Sequence, residues 1–184
     1  MPKGLTRNSS PIQISASIAE SVANTFTTVE IDLTLNALDQ EVFVVTQVNL
    51  DVAAPDIVAD ILSTPHRSAV TCTLSTTGRS DVGSIANSNV IAQGRREIET
   101  QVVEIGAPPV IGSIATAVFD REDPLFSPTT EEYIGIIATS NCHLNLQGSG
   151  NLSPKNADVR VYGYRAKMDA AGYAALVQSQ VLSS

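Results

Sequence analysis

The side chains that most often carry out chemistry are few and scattered in this sequence. The only two histidines are His66 and His143, and the only two cysteines are Cys72 and Cys142. A zinc site would have to gather four single ligands, because none of them stands in the paired Cys-x2-Cys spacing typical of zinc binding. Cys142 and His143 are neighbours, so on a strand they point to opposite faces and cannot form a nucleophilic pair. These residues predict no catalytic site, no metal site and no cofactor.

Two glycine-containing segments also lack the spacing that their chemistry would require. In Gly78 to Gly83, Ser80 does not have a glycine two residues away on both sides, as the nucleophile elbow of hydrolases needs. Gly148-Ser149-Gly150 is followed neither by a lysine nor by a predicted helix, so it does not match a phosphate-binding loop. We therefore expect that the protein is not an enzyme.

One dense cluster of charges stands out, Asp120-Arg121-Glu122-Asp123, directly before Pro124. Its carboxylates could hold a divalent cation at a subunit junction, although the run lacks a defined ligand loop. The alternative is an exposed loop that makes polar contacts with a neighbouring subunit. We favour this second interpretation, which makes the four residues candidates for subunit contacts.

The two cysteines are expected to be free thiols. Residues 1–8 contain no apolar segment, so no signal peptide is expected and the chain would fold in a reducing compartment. Both cysteines lie in apolar alternating segments, where each would serve as a small core residue. A disulfide between them is the alternative.

The composition favours strands and disfavours nucleic-acid binding. Val, Ile and Thr together supply 50 of the 184 residues, and such β-branched side chains suit a pleated surface. Aromatic residues make up 4%, which is little material for stacking on sugars or bases. The net charge of −8 repels a phosphate backbone, so no direct nucleic-acid binding is expected.

Apolar and polar residues alternate in several segments, as they do in half-buried strands. The clearest is 29–36, where every odd position is apolar, whereas 41–51 carries apolar residues on both faces and should be covered on both sides. The further candidate strands are 12–18, 70–75, 97–105, 114–119, 133–139, 142–147 and 158–166. Short helices are expected at 55–62 and from Asp169 to about Leu182, with Tyr173, Leu176, Val177 and Val181 on one face of the second.

These elements predict an all-β fold, an antiparallel β-sandwich with a short C-terminal helix. Eight or nine strands fit a single jelly roll, whereas the Cys…Trp…Cys core of an immunoglobulin-like sandwich is missing. We expect one domain over residues 11–184. The side chains predicted to face inward are Val29, Ile31, Leu33, Leu35, Val70, Cys72, Leu74, Cys142, Leu144, Leu146, Val159 and Val161.

Residues 1–10 are expected to form an assembly arm outside the core. The segment is polar, lacks strand periodicity, and carries Lys3 and Arg7 ahead of an acidic body. These two charges would meet carboxylates of a neighbouring copy, for example those of residues 120–123. Deleting the arm should then weaken assembly and leave the fold unchanged.

The long paired strands in 29–51 and the late strand 157–164, Ala-Asp-Val-Arg-Val-Tyr-Gly-Tyr, resemble the framework of viral jelly-roll capsid proteins. The chain length is also similar to that of single jelly-roll coat proteins of tailless icosahedral viruses of bacteria and archaea. The resemblance implies a virion subunit that contacts other copies of itself, and other virion proteins, in a shell around an internal membrane. A long basic arm, which some genome-packaging coats carry, is missing.

Three classes of function remain open from the sequence. A capsid or coat subunit is the leading hypothesis. A non-enzymatic decoration, tail or appendage protein would use the same kind of sandwich. An enzyme or a ligand-binding module is the third class, and it would need a convergent polar pocket.

Overall fold

A computed structural model describes residues 4–58, 66–104, 114–122 and 132–182 of the chain. In these ranges, strands alternate with short turns, and one α-helix follows the last strand. The strands are β1 (Leu5–Arg7), β2 (Ile12–Ala19), β3 (Thr27–Asp32), β4 (Glu41–Val52), β5 (His66–Ser75), β6 (Val90–Glu104), β7 (Ile114–Glu122), β8 (Gly135–Ile137), β9 (Asn141–Ser149) and β10 (Asn156–Met168), and the helix is α1 (Ala170–Leu182). None of the described helices is both long and apolar enough to cross a membrane.

The strands form two antiparallel sheets that pack face to face. In sheet A, β10 lies between β4 and an edge made by β1 and β2, and β8 follows β4. Sheet B has the order β3-β9-β5-β6-β7. Four earlier strands pair with four later strands in reverse order: β2 with β10, β3 with β9, β4 with β8, and β5 with β6. This nested pairing is the connectivity of a jelly roll, with β7 as an added edge strand.

The core between the sheets consists of the side chains that the alternation predicts. Ten of the twelve predicted residues are buried in one cluster, and the other two, Val29 and Leu35, are partly buried against it. Cys72, Leu74 and Leu144 are completely inaccessible to solvent. The predicted all-β sandwich and its inward faces are therefore confirmed.

Strand β4 is covered on both faces, as its sequence predicts. Val45, Val48 and Leu50 face the core between the sheets, whereas Val42 and Val44 belong to a second apolar cluster on the outer face of sheet A. Along β4, the inward-facing positions change from odd to even numbers at a β-bulge. Two consecutive residues of β10 pair with Gln47 and Val45, so Thr46 between them has no partner in the ladder.

Helix α1 is the element that covers the outer cluster. Asp169 accepts a hydrogen bond from the Gly172 amide at 2.7 Å, which confirms it as the N-cap. Tyr173, Leu176 and Val177 pack against the cluster as predicted. The prediction for Val181 is wrong, because this side chain is 58% exposed beyond the end of the apolar patch.

The outer face of sheet B carries polar side chains, and a loop covers them. Thr73, Ser75 and Asn145 are completely buried beneath the loop of residues 76–89. The Thr73 hydroxyl donates a hydrogen bond to the Val82 carbonyl at 2.5 Å, and the Asn145 amide donates one to Ser75 Oγ at 2.9 Å. These bonds satisfy polar side chains that an alternating strand would otherwise present to water.

The N-terminal segment requires a correction. β1 pairs with β10 from Leu5 opposite Met168 to Arg7 opposite Ala166, and Leu5 is buried in the outer cluster. These residues are therefore part of sheet A, and deletion of residues 1–10 would remove a strand. The assembly role of the segment stays a prediction.

Several predicted element boundaries also differ from the structure, and the largest difference is at β6, which begins at Val90 whereas the predicted strand begins at residue 97. Residues 55–58 are not helical, and the rest of the predicted helix at 55–62 lies outside the described residues. β3 ends at Asp32, earlier than predicted, although Leu33 still packs into the core.

Candidate functional site

Three loops meet at one end of the sandwich. They connect β2 to β3 (residues 20–26), β4 to β5 (from residue 53) and β9 to β10 (residues 150–155). They lie together because β2 and β4 end opposite the start of β10, at the pairs Ala19–Asn156 and Val52–Ala157. We call this end, with residues 20–26, 53–58 and 150–155, the loop end.

A buried carboxylate ties the first of these loops to the third. Glu20 is 5% exposed. Its Oε1 accepts a hydrogen bond from the Gly148 amide at 2.7 Å, and its Oε2 accepts one from the Lys155 amide at 3.0 Å. Asn24 extends the connection, because its side chain bonds both the amide and the carbonyl of Asn151. Backbone amides thus satisfy the Glu20 carboxylate, which has little contact with solvent.

An ion pair joins the second loop to the third. Lys155 Nζ lies 2.5 Å from Asp56 Oδ1, and the lysine side chain is 8% exposed. The other oxygen of Asp56 accepts bonds from the amides of Leu152 and Ser153, each at 2.9 Å. The hydrogen bond from Lys155 is the main reason that the pKa of Asp56 lies at about 2. The carboxylate therefore stays ionised and holds the two loops together.

One pair in this network has the composition of a serine–lysine nucleophile. Ser153 Oγ lies 3.2 Å from Lys155 Nζ, but the same hydroxyl donates to Asp56 at 2.9 Å. A general-base lysine must direct its nitrogen at the nucleophile, whereas Lys155 Nζ makes its shorter contact, 2.5 Å, with Asp56 Oδ1. The backbone amides that could stabilise an oxyanion also point at Asp56. The arrangement therefore suits a clamp between loops and does not suit acyl transfer.

The loops held in this way present apolar side chains to solvent. Val22, Ile57 and Leu152 are 61%, 62% and 77% exposed, one on each loop. The charged residues of the described part of the loop end are Glu20, Asp56 and Lys155, and all three bond within it. Large exposed apolar side chains, on a surface whose charged groups bond to each other or to the backbone, are typical of contacts with another protein.

The sequence-predicted contact residues lie elsewhere. Arg7 stands over the Tyr164 ring, 4.5 Å from its centroid, and donates to the Ser9 carbonyl. Asp120 pairs with Arg96 at 2.9 Å, a bond that lowers the pKa of the aspartate. Lys3 and Asp123 lie outside the described residues.

The charged run 120–123 was expected to be a loop, and this expectation is wrong for its described part. Asp120, Arg121 and Glu122 are the last three residues of β7. Arg121 lies opposite Glu97 in the ladder, and Glu122 lies opposite Arg96. Among the described residues, no group of three or more potential ligands could hold a metal ion. Asp120 therefore has an opposite charge as its partner on β6, and Arg121 lies at the position opposite one.

The cysteines have the predicted surroundings. Both thiols are free and buried, and burial raises the pKa of each to about 12. Cys72 lies opposite Leu146, four positions along β9 from Cys142, which is a separation of about 13 Å and too far for a disulfide. His143 is half-buried beside Gly78, on the face opposite Cys142.

The loop-end residues were not found from the sequence. Glu20 and Lys155 are 135 positions apart, and Asp56 and Lys155 are 99 apart. No local spacing signals such a contact. A weak signal was available in Lys155, one of only three lysines in the chain.

No family model matches the chain, and no curated protein matches it either.

Proposed function

We propose that the protein is a structural subunit of a virion, a coat protein that assembles with other copies of itself into a shell. The observation that carries this proposal is the loop end. There, buried hydrogen bonds and an ion pair hold three loops, and each loop presents one aliphatic side chain to solvent. A preorganised apolar surface of this kind loses little conformational entropy when it binds another protein.

The charge distribution supports contacts between identical copies. A chain with a net charge of −8 repels its own copies, so close contacts need a surface where charges are already balanced. At the loop end, Asp56 is neutralised by Lys155, and Glu20 is satisfied by backbone amides. Copies can therefore approach each other there with little electrostatic cost.

The jelly-roll connectivity supports the same reading without deciding it, since one fold serves many functions. The proposed partners are other copies of the chain and further virion proteins, and the proposed location is the virion. Direct binding of nucleic acid is not part of the proposal, because the acidic chain would repel a phosphate backbone.

The proposal is tested by replacing the three exposed side chains with serine. We expect Val22→Ser, Ile57→Ser and Leu152→Ser, combined in one variant, to reduce assembly seen by light scattering and electron microscopy, because about 25 cal/mol per Å² of buried apolar area is lost. The control is Leu38→Ser, which changes a side chain that is 96% exposed on a turn outside the loop end.

Three results would count against the coat proposal. One is wild-type protein that stays monomeric across salt and protein concentrations, and another is equal assembly by the triple variant. Protein that binds only to a preformed shell would instead indicate a decoration protein.

A further inference from the structure

In the described part of the chain, β7 is an edge strand of sheet B. Among the described residues it pairs with β6 alone, from Arg96 opposite Glu122 to Glu104 opposite Ile114. The other edge of a strand in this position carries backbone donors and acceptors that a further strand can bind.

The middle of β7 is apolar and exposed on both faces. Val118 is 46% exposed and Phe119 is 62% exposed. The two side chains point to opposite faces of the sheet, because they are adjacent on a strand. A monomer usually protects an open edge with charges or proline, whereas this edge presents two apolar groups at its centre.

The charges near this centre lie at one end of the strand. Asp120 is held by Arg96, and Arg121 stands opposite Glu97 in the ladder. Within the described residues, the charged side chains of β7 thus lie C-terminal to Phe119, and nothing charged lies at Val118 or Phe119.

We propose that β7 pairs antiparallel with β7 of a second copy, about a two-fold axis through Val118. The occupant of the edge is another copy of this chain, and sheet B becomes continuous across the interface. The inference rests on the proposed function in that it names the strand contact through which self-assembly begins.

The position of the axis follows from side-chain geometry. With Val118 opposite Val118 of the second copy, the two valines meet directly on one face. On the other face, the two Phe119 rings become diagonal neighbours, about 7–8 Å apart, within reach of each other. This register covers both exposed apolar side chains.

Charge repulsion favours the same register. An axis through Val118 places the two Asp120 residues four positions apart along the strands, or about 13 Å, beyond the Debye length at physiological salt. An axis through Phe119 would bring them to about 7 Å and would set each aspartate opposite a valine. For an acidic chain, the Val118 register is the one with less repulsion.

Cysteine cross-linking tests the contact and its register. In Val118→Cys, the two new thiols would lie directly opposite each other, so mild oxidation should give a covalent dimer. In Phe119→Cys, the thiols would be diagonal and too far apart for a disulfide. Leu38→Cys, on an exposed turn, is the matched control, and the buried native thiols do not interfere. Failure of Val118→Cys to cross-link faster than Leu38→Cys, or equal cross-linking by Phe119→Cys, overturns the proposal.

A second measurement needs no new thiol. Val118→Lys combined with Phe119→Asp should raise the dissociation constant of the dimer by about tenfold or more, measured by sedimentation, while circular dichroism and the melting temperature stay unchanged. Leu38→Lys is the control and should leave the constant unchanged. An unchanged constant in the double variant refutes the β7 contact.

The two proposals fail in different ways. Shells that still form from the β7 double variant would refute the strand contact and leave the coat function intact. Dimers that cross-link through Val118 but never grow into closed assemblies would support the strand contact and contradict the coat function.

Discussion

The outer faces of the two sheets are covered in different ways. On sheet A, helix α1 lies over aliphatic side chains, of which Val42 and Val44 are fully buried. On sheet B, the loop of residues 76–89 lies over Thr73, Ser75 and Asn145, which are just as deeply buried.

The difference lies in what each covering requires. Aliphatic groups gain stability from any apolar neighbour, so the contact under the helix has no fixed pairing. A buried hydroxyl or amide needs a particular partner, because an unpaired one costs about 1–3 kcal/mol. Each covering should therefore resist an exchange between apolar and polar side chains, and the polar covering also depends on particular hydrogen-bonded pairs, although its residues look like ordinary surface residues in the sequence.

The strongest test of this comparison is Asn145→Leu. Asn145 accepts a hydrogen bond from the exposed Thr28 and donates to the buried Ser75, each at 2.9 Å, so leucine leaves the buried Ser75 hydroxyl with one partner fewer. We expect the free energy of unfolding to fall by about 3 kcal/mol in urea titrations. The same substitution at the exposed Asn49 should change it by less than about 0.5 kcal/mol. Equal effects at the two sites would contradict the comparison.

The comparison of the two coverings is tested further by placing a polar side chain under the helix and an apolar one under the loop. Val44→Thr places a hydroxyl under the helix with no prepared partner and should cost about 2 kcal/mol. Thr73→Val removes the hydrogen bond to the Val82 carbonyl and should cost about 1 kcal/mol. Both values come from denaturant midpoints at constant m. If Val44→Thr left the free energy of unfolding unchanged, water would have to reach the face of sheet A that helix α1 covers.

Helix α1 also makes polar contacts at the edge of sheet A. Gln180 accepts a hydrogen bond from the Ala138 amide at 3.1 Å and donates one to the Ile136 carbonyl at 2.8 Å. Its side chain thereby satisfies the open edge beside β8, as a neighbouring strand would. Gln180→Ala should cost about 1 kcal/mol and speed hydrogen exchange at Ala138. The exposed Gln178 is the matched control, and equal exchange in the two alanine variants would exclude this role.

The smallest expected effect is that of low pH, which should leave the covering of both sheets unchanged. The buried hydroxyls and amides do not ionise, whereas the pKa of Asp56 is lowered from 3.8 to about 2. A lowered pKa stabilises the fold above about pH 4, and this contribution is lost as the pH falls towards 2. Unfolding measured between pH 5 and 2 should therefore be less pH-dependent in Asp56→Asn than in wild type, with Asp51→Asn as the exposed control. If stability depended equally on pH in all three proteins, Asp56 would not be the source of this pH dependence.

The sequence predicted the parts of the fold that depend on local periodicity. The alternation around Val29, Val70 and Leu144 identified strands and their inward faces, and the structure confirms them. Alternation also predicted two-sided covering of β4, and helix α1 provides it. It could not locate the bulge at Thr46, because a shift in register depends on the partner strand β10.

Other features depend on contacts that no local pattern contains. Thr73 and Ser75 alternate with apolar residues and resemble a solvent-facing row, but the loop of residues 76–89, which follows β5, folds back and buries them. The loop-end bonds of Glu20 and Asp56 to residues near Lys155 join parts of the chain about 100 or more positions apart. Leu5 is buried because β10 offers an edge for it, which its polar neighbours in the sequence do not suggest.

The nested pairing of the strands also has a consequence for the order of synthesis. β10 lies inside sheet A, where β1, β2 and β4 all pair with it. A growing chain therefore exposes the apolar face of β2, and the edge of β4 that β10 will take, while most later residues are still being added. Local turns cannot close this sheet early, because its central strand, β10, follows the other nine described strands in the sequence. The pairings of β1, β2 and β4 with β10 can therefore form only after residues 156–168 have left the ribosome.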